Sequence, residues 1–304
     1  MSAPDPEPQT GGLPYALGAY TIWGLLPLYL LLVQTVPAVE FVGWRILWTV
    51  PVCLIVVAFR RQGAEVRAAL TSPAILRTML LSSVLIAINW LTYIYAVLDG
   101  KVYGASLGYY LNPLVNVLLG TLVLGERLNA RQWTAVALAG GGVATLLFGA
   151  LDTLWITLTL AFSFALYGLV RKTAPVGALP GLTVESLLLS LPALGVIAWY
   201  AATPQGSAFG QSLGLDLAIA FAGIVTGVPL LMFAVAARRM AYSLLGFVQF
   251  IAPTMVFVIG LTVFDQPLEP AQLACFCAIW AAIAIFSWDL WLRRPRREKA
   301  VQPQ

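Results

Sequence analysis

Apolar residues in this chain fall into long uninterrupted stretches separated by short polar breaks. Crossing the roughly 30 Å hydrocarbon core of a bilayer takes about 20 apolar residues as a helix, which closes its backbone hydrogen bonds internally where no water is available. Stretches of that length, bounded by charge or by proline and glycine, occupy residues 13–33, 38–59, 78–98, 102–124, 132–149, 153–170, 182–202, 214–237, 242–264 and 271–292. The pattern predicts an all-α polytopic membrane protein with ten transmembrane helices. Connections are short except at 60–77, 171–181 and 203–213. The every-second-residue polarity of a membrane β-barrel is missing. Residues 1–12, with Pro4, Pro6 and Pro8, read as a disordered tail. They carry no basic n-region, so the first apolar stretch is not expected to be a cleaved signal.

Composition points the same way. The chain is 60% apolar and 10% charged, with a mean hydropathy of +0.88, against about 45–50% and 25% in soluble domains. Basic residues then give an orientation, because short loops rich in Lys and Arg stay on the cytoplasmic side. Arg60, Arg61, Arg67 and Arg77 follow the second stretch, Arg127 and Arg131 the fourth, Arg171 and Lys172 the sixth, and Arg238 and Arg239 the eighth. Arg293, Arg294, Arg296, Arg297 and Lys299 make a basic tail over 293–304. All these positions lie on one face of a ten-helix chain; Lys101 lies on the other and Arg45 lies within the second stretch. Both termini are therefore predicted to be cytoplasmic. The net charge of +4 follows from this bias and calls for the lipid bilayer as partner, not nucleic acid.

Several chemistries are excluded at the sequence level. The chain has no histidine, which removes His-dependent nucleophilic triads, H-E-x-x-H zinc sites and imidazole proton shuttles. Cys53, Cys275 and Cys277 sit in apolar runs and suggest neither disulfides nor a metal site. No Walker A loop, aspartate-rich diphosphate motif or pair of membrane-embedded aspartates appears, so no catalytic residue, cofactor or enzyme activity is predicted. A receptor or scaffold would need a larger extramembrane module, and a channel would be expected to carry a filter or a charged ring.

An internal repeat gives the architecture. An offset of 140 pairs Pro113 with Pro253, Gly120 with Gly260, Leu128 with Leu268 and Gln132 with Gln272; Trp23-Gly24 corresponds to Tyr167-Gly168 at a slightly larger offset. Each copy, 13–149 and 150–292, then holds five helices. Five is odd, so the copies enter the membrane from opposite sides, as in secondary transporters whose binding site lies near the midplane between inverted repeats. The chain is accordingly read as a permease for a small-molecule substrate, with a membrane scaffold or sensor, or a facilitative uniporter, as the alternatives.

Particular segments carry a family resemblance: residues 19–24 (AYTIWG), 45–48 (RILW), 105–120 (ASLGYYLNPLVNVLLG), 124–127 (LGER), 167–172 (YGLVRK) and 245–254 (LGFVQFIAPT). Together they resemble the RarD branch of the drug/metabolite transporter superfamily, built from two EamA units. The resemblance implies ten helices, a bacterial inner membrane and a permease from a branch associated with chloramphenicol sensitivity or resistance. The sequence departs from the family pattern at Trp44, Gly104, Phe250 and Gln266, the last being the second-half counterpart of Glu126.

Candidate transport residues follow from the cost of polarity in lipid. A charge at mid-bilayer costs at least about 2.5–3.5 kcal/mol on insertion scales and persists where a partner, water or function compensates. Arg45 lies roughly 9 Å of helical rise from the start of its stretch. It is a candidate anchor for an anionic group, or a partner of Glu185 or Glu40. Glu40, a candidate coupling group together with Glu185, lies near the boundary, where solvation is expected. Glu185 opens the seventh stretch, either complementing the helix dipole or carrying a coupling proton. Asn89 with Tyr93, and Tyr109, Asn112 and Asn116, share helical faces, and Gln249 matches Tyr109 in the repeat. These amides either line a cavity or join helices. Trp23, Tyr110 and Tyr167 are candidate stacking surfaces with Trp90. Pro113 and Pro253 are paired hinge candidates. Trp133, Trp155, Trp199, Trp288 and Trp291 read as interfacial anchors.

Overall fold

A computed structural model describes residues 11–147 and 151–292. Most of the predicted N-terminal tail, the end of the fifth stretch and the basic tail 293–304 lie outside the described residues. The regular structure of the described chain is helical throughout. Twelve α-helices follow in order: α1 Leu13–Leu30, α2 Ala38–Phe59, α3 Gly63–Thr71, α4 Pro73–Leu98, α5 Val102–Leu122, α6 Ala130–Leu147, α7 Leu154–Thr173, α8 Ala178–Ala201, α9 Leu213–Arg239, α10 Tyr242–Gln249, α11 Ile251–Thr262 and α12 Pro270–Leu292.

Every predicted stretch coincides with a helix or, for α10 and α11, a bent pair. Among the described residues, eight helical segments are long and apolar enough to cross a membrane. Helices α5 and α6 are the two predicted spans that fall outside that set. In α5, Asn112 and Asn116 lower the apolar content, and in α6 Arg131 and Gln132 do so. The expected long connection at 60–77 instead folds into α3 and the first turns of α4. In α3, Val66 and Ala69 are buried.

Local chemistry sets the helix ends. Ser72 caps α4 by accepting from the amide of Ile75, with Pro73 at the first helical position, and Ser212 caps α9 in the same way through Leu215. Between α4 and α5, Gly100 takes φ +68°. There Lys101 lies 2.6 Å from Asp99 and holds that carboxyl below the usual carboxylate range. Ahead of α6, the side-chain oxygens of Asn129 and Gln132 accept from each other's backbone amides at 2.9 and 3.1 Å, a reciprocal cap.

Packing between helices is reciprocal. Helix α2 packs on α8 and α6 on α12. The contact of α5 with α7 is matched by that of α11 with α1, α4 with α7 by α9 with α1, and α2 with α9 by α8 with α4. Small residues permit the closest approaches. A Cβ on Gly246 would lie 2.6 Å from the carbonyl of Pro113, and one on Gly142 would lie 2.8 Å from the Cβ of Ala278. The main core lies at the centre, with Tyr20, Tyr167, Phe233, Tyr242, Phe250 and Phe276 among its members. Large apolar side chains such as Leu32, Leu91, Leu122 and Leu191 are exposed on the outside, as a lipid-facing surface requires. The five tryptophans expected near helix ends are exposed as well.

Candidate substrate site

At the crossing of α5 and α10, buried amides bond one another, leaving only Asn116 Oδ1 of the cluster without a donor among the described residues. Gln249 Nε2 donates to Asn112 Oδ1 at 2.7 Å, Asn116 Nδ2 donates to Gln249 Oε1 at 2.6 Å, and Asn112 Nδ2 donates to the carbonyl of Ala161 on α7 at 2.8 Å. Tyr20 from α1 reaches Gln249 Oε1 at 3.4 Å. Asn89 is bonded in the same manner, to the carbonyl of Leu160 at 2.9 Å and the hydroxyl of Ser163 at 3.1 Å. The structure thus brings Asn112, Asn116 and Gln249 together as a polar bolt between the two halves of the chain, and places Asn89 at a separate α4–α7 contact.

Arg45 occupies a different environment. Its guanidinium carbon lies 4.4 Å from the centre of the Trp90 ring, a cation–π contact. The hydroxyls of Tyr109, Tyr29 and Tyr93 are its electrostatic neighbours. Tyr93 and Tyr109 meet edge to face at 6.0 Å. Neither expected acidic partner reaches Arg45. Glu40, expected to be solvated, is buried: its Oε1 accepts from Trp44 Nε1 at 3.1 Å, Ser207 Oγ at 2.6 Å and the amide of Ala208 at 2.8 Å. With Trp44 stacked on Phe209 at 4.6 Å, this carboxylate pins the α8–α9 loop over the end of α2.

Glu185 was placed by the sequence in a first turn, but α8 begins at Ala178 and has no acidic residue there. It sits two turns in, 2% exposed, and takes a hydrogen bond from Ser82 and one from Tyr167 at 3.4 Å. Its ionic partner is Arg171, 3.6 Å away, which the charge count had put in a loop. Helix α7 continues to Thr173 and folds this arginine inward, 1% exposed, where it donates to the carbonyl of Ala178 at 2.7 Å. Glu185 and Tyr167 also line a cavity of about 20 Å³ with Thr49, Trp90, Ser186 and Thr226, enough for about one water molecule. Trp90 therefore touches both this cavity and Arg45.

The remaining candidates divide between core and hinge. Trp23 and Tyr167 belong to one aromatic cluster with Tyr20, Phe164 and Phe233, and Tyr110 packs on Phe276 at 5.3 Å. Pro113 lies within an uninterrupted α5, whereas the chain breaks between α10 and α11 at Phe250, three residues before Pro253. Each proline withholds one backbone hydrogen bond, Pro113 from Tyr109 and Pro253 from Gln249, but only the second coincides with a break.

A further residue emerges at the start of α10. The loop carboxylate of Glu126 accepts from the amide of Tyr242 at 2.5 Å and from the amide and hydroxyl of Ser243 at 2.8 and 2.6 Å. It thereby satisfies helix N–H groups that otherwise lack partners. The second half repeats the backbone of this loop. Gly125 and Asp265 both have positive φ, and the amides of Glu126 and Gln266 bond the carbonyls of Gly120 and Gly260 at 2.9 and 3.0 Å. The side chain does not repeat: Gln266 is exposed, and the helix start corresponding to Tyr242 and Ser243 is Val102 and Tyr103. Tyr242 and Ser243 are 0% and 4% exposed; Val102 and Tyr103 are 47% and 39% exposed.

Long apolar helices with greasy outer faces, holding most of their buried polar groups in internal hydrogen bonds, define a multi-pass membrane protein. Comparison with known proteins gives the class within that description. Residues 10–148 match the EamA-like transporter family. A protein named RarD from Streptomyces exfoliatus is 42% identical over 96% of this chain and 92% of its own. RarD from Escherichia coli is 40% identical over 95% and 97%, and an uncharacterized transporter from Pseudomonas aeruginosa is 43% identical over 92% and 95%. A solved crystal structure aligns with a TM-score of 0.72 at 19% identity, covering 92% of this chain and 98% of that one, and so shares the fold. The chain belongs to the RarD branch of the drug/metabolite transporter superfamily.

Proposed function

We propose that this transporter is a secondary active permease working by alternating access. In this reading ten helices form two inverted five-helix units, 13–149 and 150–292, in a bacterial inner membrane with cytoplasmic termini. The reciprocal packing of α1, α2, α4, α5 and α6 with their counterparts α7, α8, α9, α10–α11 and α12 supports the inverted repeat.

The observation that carries alternating access is the unequal state of two equivalent helix entrances. Glu126 latches the start of α10 on the face of the basic loops, while the start of α5, on the Lys101 face, stands open beside an unlatched Gln266. A rocking pair of repeats needs one entrance sealed while the other is free, and releasing Glu126 would exchange them. Substrate enters from the Lys101 face and reaches Arg45, Trp90, Tyr93 and Tyr109. Glu185, bonded to Arg171 and facing the small cavity behind Trp90, is the group assigned to carry a coupling proton. The amide bolt holds α5 to α10 near the axis.

Single cysteines at Val102 and Ala241 in a chain cleared of Cys53, Cys275 and Cys277 test this reading. A water-soluble maleimide should label position 102 from the Lys101 face and leave 241 unlabelled, and Glu126→Gln should raise labelling at 241. Equal labelling of both positions in the parent would remove the proposed states. In liposomes, uptake of a transported solute should saturate; a flux linear in concentration would indicate a pore.

A further inference from the structure

The buried charges of this protein are almost all committed. Arg171 and Glu185 hold each other. Glu40 clamps its loop, and Glu126 holds α10. Asp289 meets Asn129 at 2.6 Å and Arg131 at 3.8 Å. Lys172 donates to the carbonyls of Ala237 and Met240. Arg45 differs. Among the described residues no carboxylate lies within 4 Å of its guanidinium, and its Nε, like that of Arg171, is enclosed with no hydrogen-bond acceptor. Guanidinium groups remain charged at any physiological pH, and an enclosed donor without an acceptor carries the full cost of its lost hydration.

The surroundings lack a negative charge but offer more donors. The hydroxyls of Tyr93 and Tyr109 have no hydrogen-bond partner among the described residues, and Tyr109 is 40% exposed although it lies in the middle of α5. That exposure faces inward. Tyr109 touches Tyr93 of α4 and feels the charge of Arg45 of α2, while α2 itself packs on α8 and α9 and α5 packs on α7 and α10. The space between α2 and α5 is therefore a cleft with one cation, two free phenol hydroxyls and an indole wall.

We infer that this cleft binds the carboxylate of a small organic monoanion whose flat apolar body lies against Trp90, Tyr93 and Tyr109. The inference rests on the transport reading in taking this cleft as the substrate site, and it names the substrate class. A carboxylate presents two oxygens that match Nε–H and one terminal N–H of arginine side by side, which would satisfy the orphan donor. One cation balances one negative charge, so a doubly charged phosphate ester would be left half neutralised. An amino acid is a poor match, because both nearby carboxylates, Glu40 and Glu185, are already bonded and none faces the cleft to receive an ammonium group.

Equilibrium binding tests this without requiring a transport cycle, so its failure is separate from failure of the labelling experiment above. The purified full-length protein in lipid nanodiscs is melted with benzoate, benzamide, benzylamine, 3-phenylpropanoate, phenylalanine or inorganic phosphate at equal concentration and ionic strength. A ligand that binds the folded form raises its melting temperature. Benzoate and 3-phenylpropanoate should produce a saturable rise, and benzamide, benzylamine and phosphate should not. Phenylalanine should fall below 3-phenylpropanoate. Arg45→Gln should abolish the rise, Arg45→Lys should retain a reduced one, and Tyr109→Phe should require several-fold more benzoate. Equal stabilisation by benzamide, a larger effect of phosphate or phenylalanine, or an unchanged benzoate response in Arg45→Gln would overturn the assignment. If Arg45→Gln does not fold, the Arg45→Lys and Tyr109→Phe responses decide.

Discussion

Removing the guanidinium of Arg171 would leave Glu185 buried against a serine, a tyrosine hydroxyl and the helix wall, with no cation nearby. Breaking one partner of a buried pair costs about 3–5 kcal/mol, whereas replacing both partners by apolar groups is often neutral. Arg171→Leu is therefore expected to lower the melting temperature in nanodiscs sharply, and Arg171→Leu combined with Glu185→Leu to recover most of the loss. A double variant no more stable than the single one would mean the pair is not the source. Gly181→Ala should act like a milder form of the first change, since its Cβ would collide with the Arg171 guanidinium. Glu185 was legible in the sequence as a charge in an apolar run. Arg171 was not, because a basic residue at the end of a hydrophobic stretch looks the same whether the helix stops there or continues one more turn and turns it inward. Arg45 was legible for the opposite reason: apolar residues flank it on both sides, leaving no loop in which to place it.

At the scale of elements, the α10–α11 break and the Glu126 latch act on the same segment. Apolar stretches located all the helices of membrane-spanning length to within a few residues, because burial in lipid is written into composition. The same signal was blind to α3, whose apolar positions are too few to form a run, and to the break at Phe250, which neither the apolar run nor the proline marks, since Pro113 at the equivalent site leaves α5 continuous. The repeat alignment singled out Glu126 and Gln266, yet the helix N-terminus that receives Glu126 is more than a hundred residues away in sequence. If the carboxylate is what holds an entrance shut, supplying it on the other side should close that side. Gln266→Glu is expected to reduce maleimide labelling at position 102 and raise it at 241, with Gln266→Asn as the control that leaves both unchanged. Identical labelling in the glutamate and asparagine variants would show that the loop backbone alone sets the state.

For the whole molecule, the proposed rocking would need some helices to slide and would leave others paired. Helix α6 packs along its own counterpart α12 over a long seam and less extensively on α5, with Gly142 against Ala278, and Asn129 and Arg131 at one end holding Asp289. Such a seam can serve as a fixed rib while the other helices tilt. Cysteines at Gly142 and Ala278, in the chain without native cysteines, would start with Cβ atoms 2.8 Å apart, so α6 and α12 must ease apart by about 1 Å to reach the roughly 3.5–4.5 Å that a disulfide needs. Oxidation should join α6 to α12 and leave uptake within about twofold of the reduced protein. Abolition of uptake by the crosslink would place motion at the seam.

A single missing carboxylate at Gln266 has a further effect on rates. In the proposed cycle, a catch on only one side would make the protein dwell facing one way, so that a solute arriving from that direction should find a vacant receptor ready. One approaching from behind waits for the catch to lift. Half-saturating concentrations should thus differ between the two directions of travel, even though thermodynamics forces net movement to cease at the same gradient.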